Sequence, residues 1–109
     1  MLIPTSISVE SLYDLSQKNG EKSLYIAVIL QALLDVTKPK QKKEAKEIKQ
    51  QRDQAHAWFF TFTGVTCKDF ETVCHYAGLE PKKVRTFAYE VINSGDTENV
   101  RRKFSSLIY

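Results

Sequence analysis

FETVCHYAGLEPKKVRTFAY, residues Phe70–Tyr89, is helical in pattern on both sides of a short interruption. Gly78 ends the first helix, Phe70–Tyr76, in a backbone geometry that only glycine reaches cheaply. Pro81 opens a second helix, because in the first turn its missing N–H costs nothing. Val84, Phe87, Ala88 and Val91 then recur at three-and-four spacing as that helix's inner face, and Asn93, Ser94 and Gly95 end it. Two short helices joined by a glycine turn are therefore expected, with Lys82, Lys83, Arg85, Thr86 and Tyr89 on the outward side of the second.

Working outward from this pair, the same periodicity continues along the chain. Thr66 and Asp69 are candidate caps for the first helix. Before them, a long helix is expected from Lys40 to about Phe62. Its stripe is Ala45, Ile48, Ala55, Phe59 and Phe62, with Arg52 on the same line, and Gly64 closes it. The run AWFFTF puts Trp58 and its neighbours inside the core, with Trp58 expected near Phe87. Pro39 stops the preceding helix, Leu24–Lys38, which is apolar on nearly every side and takes Ser23 as its N-cap. Glu10–Gln17 is expected to form a short helix ending at Gly20, and residues 1–9 read equally as an extended arm or an edge strand. At the other end, Val100, Phe104 and Leu107 mark a last helix capped by Asp96 or Thr97. The fold class expected is all-α, a single domain over 1–109 of five to six helices, with 1–22 as an N-terminal arm and short helix.

Composition bounds the function. The chain has 109 residues, enough for one modest core, and its 42% hydrophobic and 27% charged residues are an ordinary globular balance. Net charge is +3, with a pI near 8.9. The distribution is uneven: between residues 38 and 52, seven cations face only Glu44 and Glu47, and basic triplets follow at Lys82, Lys83, Arg85 and at Arg101, Arg102, Lys103. Two cysteines are too few for a disulfide scaffold, the N-terminus has no secretory pattern, and the apolar run around Tyr25–Leu34 is too short to span a bilayer. A cytoplasmic protein without a membrane anchor is expected.

The central stretch resembles the helix-turn-helix family, over residues 66–93. Val73 and Ala77 fill its inward slots, Cys74 the small-residue slot where the helices cross, Gly78 the turn and Leu79 the turn's hydrophobic plug. Alanine or glycine is more usual at the crossing than cysteine. The resemblance implies a recognition helix at 81–92, in which Arg85 or Lys82 donates to a guanine edge and Thr86 touches a thymine methyl or a phosphate. Tyr89 and Lys83 then hold the backbone. Lys42, Lys43, Lys46, Arg101, Arg102 and Lys103 are expected as additional phosphate contacts. A wider pattern, AVILQALLD, then AHAWFF, then DFETVCHYAGLEPKKVR, is similar to small phage and prophage proteins and covers Leu24–Ile92. It implies a transcription regulator of phage type in a bacterial host's cytoplasm, binding double-stranded DNA, with homodimers the usual state of the motif.

A plain corner in a helical bundle has the same pattern, and a small protein-binding module is the competing function, acting on a host enzyme such as RNA polymerase or a nuclease. A DNA reader presents its bases in solvent, whereas a protein binder exposes an apolar patch. No enzyme is indicated: there is no phosphate loop, nucleophile elbow or paired-carboxylate site. His56, Cys67, Cys74 and His75 fit no zinc spacing, so neither metal nor cofactor is expected.

Overall fold

Five helices follow one another in a computed structural model that describes residues 9–18, 20–93, 98–99 and 101–102. They are α1 (Val9–Lys18), α2 (Glu21–Val36), α3 (Lys46–Phe60), α4 (Gly64–Ala77) and α5 (Pro81–Asn93). Residues 98–99 and 101–102 are helical as well, and no strand occurs among the described residues. The expected N-terminal arm and the apolar stripe Val100, Phe104 and Leu107 lie outside them.

Helix α2 is central because it packs on α1, α3 and α4, while α5 rests on α4 and α3. Its buried face is Ile26, Ile29, Leu30, Leu33 and Val36, and one hydrophobic cluster joins these to Leu12 of α1, Ala55 and Phe59 of α3, Phe70, Cys74 and Ala77 of α4, and Val84 and Ala88 of α5. The composition of α2 is apolar all round but its burial is not: Leu24 is 66% exposed and Val28 42%. Phe59 and Phe70 are wholly buried and meet edge to face, ring centroids 5.9 Å apart. Each contributes roughly 1.5–3 kcal/mol by leaving water.

The helix starts depart from the sequence reading in three places. Helix α2 begins at Glu21, preceded by Gly20 at φ 55°, and the Ser23 hydroxyl donates back to the Gly20 carbonyl instead of capping from outside the helix. Helix α3 begins at Lys46, six residues later than Lys40. A helix started at Lys40 would set Lys40, Lys42 and Lys43 on the positive end of its dipole. Residues 38–45 form a loop instead, in which Glu44 reaches Arg52 of α3. Helix α4 begins at Gly64, where φ is 81°, so this glycine opens α4 instead of closing α3, which ends at Phe60 with Thr61 extended. Cys67, Phe70, Cys74 and Ala77 are all buried on one face of α4, and this stripe carries the helix through Thr66 and Asp69. Asp69 is not a cap: its carboxylate accepts the Trp58 indole N–H at 2.7 Å. Trp58 is half-buried against Phe59 and Phe70, with centroids 5.3 and 4.9 Å away, so its packing partners are on α3 and α4.

Candidate nucleic-acid interface

The interruption at the centre of the quoted stretch is a three-residue turn, Gly78–Glu80, between α4 and α5. Gly78 has φ 74° and ψ 24°, its N–H donates to the His75 carbonyl at 3.1 Å, and the Leu79 N–H donates to the Cys74 carbonyl at 2.9 Å. This pair of bonds is the Schellman closure, which satisfies carbonyls that the end of α4 would leave orphaned. Leu79, partly buried, packs against the core as the plug of the turn. Pro81 is then the first residue of α5, as its fixed φ favours.

Cys74 is wholly buried in the last turn of α4. Burial pushes its thiol up to about 12, so it stays protonated at neutral pH. Cys67 donates to Glu71 at 3.0 Å, and that bond, followed by burial, raises its pKa as well. Neither thiol is poised as a nucleophile. His75, next to Cys74 in sequence, faces solvent. Among the described residues no group of three or more His, Cys, Asp and Glu side chains is placed to hold a metal ion.

Helix α5 buries Val84, Ala88 and Val91 and exposes Lys82, Lys83, Thr86 and Tyr89. Lys83 has a loose, exposed pair with Glu80 at 3.6 Å, and the Thr86 hydroxyl donates to the Lys82 carbonyl one turn back at 2.9 Å, leaving its lone pairs outward. Tyr89 is 61% exposed.

Arg85 departs from the outward register expected for it. It is half-buried, its Nε donates to the Phe59 carbonyl at 2.9 Å, and its Nη2 lies 3.4 Å from the Cys67 Sγ. The guanidinium also sits over two rings, 4.6 Å from the centroid of Phe70 and 4.9 Å from that of Phe62. The physical reason is the end of α3: the chain turns extended at Thr61, which leaves the Phe59 carbonyl without an amide, and a cation from a neighbouring helix satisfies it. Arg85 is therefore a clasp between α5, α4 and the last turn of α3.

Arg101 behaves in the same way at another helix end. Its Nη1 donates to the Leu34 carbonyl at 2.6 Å and to the Thr37 hydroxyl at 3.3 Å, so it closes the C-terminus of α2 and is not a free phosphate contact. Arg102 is exposed and pairs with Glu98 at 3.6 Å, while Lys103 lies outside the described residues. Lys42, Lys43 and Lys46 are exposed as expected, two on the loop before α3 and one at its first position.

Periodicity also misassigned Phe62. Beyond the end of α3 it leaves the apolar stripe and stands 67% exposed over Arg85, and Val65, three residues on, is 85% exposed. The outward face beside α5 thus mixes bases, hydroxyls and rings. Compared with protein-family models, curated proteins and solved structures, the chain matches none.

Proposed function

We propose that the chain binds double-stranded DNA through α4 and α5, with α5 lying in the major groove and the protein acting as a transcription regulator of phage type. The observation that carries this reading is the division of labour on α5. Lys82, Lys83, Thr86 and Tyr89 are exposed on successive turns, while Val84, Ala88, Val91 and the Arg85 clasp fasten the other side to the core. A rigid helix that presents bases and a hydroxyl to solvent just beyond a three-residue turn suits major-groove readout. In this reading Lys82 donates to a base edge or phosphate, the Thr86 methyl meets a thymine methyl, and Lys83 and Tyr89 hold the backbone. Arg85 supports them from behind.

Selection from a random duplex pool tests the proposal. Enrichment of a motif is expected, and Lys82→Ala or Thr86→Ala should weaken the preferred site by roughly 1–3 kcal/mol and flatten discrimination at one base position. Absence of duplex binding even at low salt would overturn it.

One observation favours a second reading, docking on a protein partner. Leu24 and Val28 lie one turn apart on α2, exposed, and Val28, Ala32 and Trp58 line a shallow groove between α2 and α3. Under that reading Leu24→Ser with Val28→Ser abolishes the function, and substitutions on α5 leave it intact.

A further inference from the structure

We infer that residues 40–46 form a second nucleic-acid contact, a phosphate grip that ignores sequence and is held in shape by the Glu44–Arg52 pair. The inference takes from the proposed function only the class of partner. Between residues 38 and 52 stand seven cations, Lys38, Lys40, Lys42, Lys43, Lys46, Lys49 and Arg52, against Glu44 and Glu47. Three of the seven have partners: Lys38 with Asp35 at 3.4 Å and with Gln51, Lys49 with Asp53 at 3.8 Å, and Arg52 with Glu44. The four that remain, Lys40, Lys42, Lys43 and Lys46, are exposed and lie within seven residues.

The treatment of Glu44 separates this loop from an ordinary solvated lysine run. On a solvated face, carboxylates sit among the lysines at the surface and pair loosely, as Asp53 does with Lys49. Glu44 instead turns inward. Its two oxygens accept the Arg52 Nη1 at 3.0 Å and Nη2 at 2.5 Å, and the first also accepts the Gln41 N–H at 3.4 Å. The side chains of Arg52 and Glu44 are only 9% and 12% exposed. The fork holds Glu44's pKa below, and Arg52's above, their ordinary values. The loop's only carboxylate is thereby matched and withdrawn from the surface, while Glu47 and Asp53 of α3 stay exposed.

Lys38 ties the loop's start to α2 and α3, and Glu44 ties its end to α3, so like charges are held close together against their mutual repulsion. An anion lifts that repulsion, and a phosphate backbone supplies a row of them. Lys46 and Phe59, whose carbonyl the Arg85 clasp grips, stand thirteen positions apart on α3, a run of about 20 Å. The grip and α5 are therefore distinct patches that can be altered independently.

The test is titration of a random-sequence duplex at roughly 50 and 200 mM salt. Lys40→Gln, Lys42→Gln and Lys43→Gln together change exposed side chains only. With about 0.9 of salt slope per phosphate contact, wild type should lose about 40-fold more affinity than this triple variant over that fourfold rise. Glu44→Gln discriminates further, because it raises the net charge by one. Lysines acting as a diffuse cloud would then bind more tightly, whereas a held loop binds more weakly, and the exchange Glu44→Arg with Arg52→Glu should restore it. An unchanged salt slope in the triple variant overturns the grip, and tighter binding by Glu44→Gln overturns the role of the pair. Loop-dependent binding without sequence preference would uphold the grip while refuting the reading of α5. Preserved sequence preference with an indifferent loop would do the reverse.

Discussion

Replacing Arg85 separates a side chain that holds the fold from one that reads DNA. The guanidinium donates a charged hydrogen bond to the Phe59 carbonyl and lies over the Phe70 and Phe62 rings. Arg85→Ala loses that bond, at about 1.5–3 kcal/mol, and a half-buried cation–ring contact, at about 0.5–2 kcal/mol. The two overlap because one group makes both, so a total near 2–3 kcal/mol is expected. In a domain of roughly 100 residues each kcal/mol moves Tm by about 4–8 °C, which puts the loss at about 8–24 °C. Arg85→Lys should recover only a minor part, since an ammonium cannot satisfy the carbonyl and cover both rings at once. Thermal unfolding followed by circular dichroism, with duplex titrations well below each variant's Tm, gives both readouts. The expected outcome is a large fall in Tm with sequence discrimination kept at low temperature. A wild-type Tm combined with lost discrimination at one base position would refute the clasp and return Arg85 to the outward face.

Gly78→Val should destabilise the domain by about 1–3 kcal/mol, because a β-branched residue is strained at φ 74°. The three atoms nearest an added Cβ all belong to the movable end of Lys22, its Nζ 3.2 Å away, so the backbone dominates the loss, and an unchanged Tm would refute the strained turn. The Glu44–Arg52 pair should show in the pH dependence of stability. Arg52 lowers the folded-state pKa of Glu44, so its contribution is present above the ordinary value of 4.5 and disappears as pH falls through the lowered one. The Tm difference between wild type and Glu44→Gln should therefore be widest at neutral pH and close on acidification. A difference independent of pH would contradict the pairing.

Local chemistry is what could be read without coordinates. The glycine at 78, the proline at 81 and the spacing of Val84, Ala88 and Val91 impose a turn and an inner face whatever surrounds them, because φ preference and side-chain periodicity act over a few residues. The all-α class and the central place of α2 follow from the same short-range signals. The start of α4 was legible too, in the stripe Cys67, Phe70, Cys74 and Ala77, but Thr66 and Asp69 are also good cap residues, and either pattern alone satisfies the local rules.

The destinations of the arginines needed the tertiary structure. A side chain as long as that of Arg85 reaches solvent or a neighbouring helix from the same register, and only the packing of α3 beside α5 puts the Phe59 carbonyl 2.9 Å from its Nε. Arg101 closes α2 across 67 positions of sequence, and Arg52 withdraws Glu44 from the lysine loop across eight. From sequence alone Arg85 and Arg101 count as surface charge, and Arg52 falls on an apolar stripe with no partner assigned to it. Folded, they hold helix ends and a loop in place, because carbonyls orphaned at a helix C-terminus need a donor and a carboxylate turned out of water needs a charged partner, and only the fold decides which arginine lies within reach.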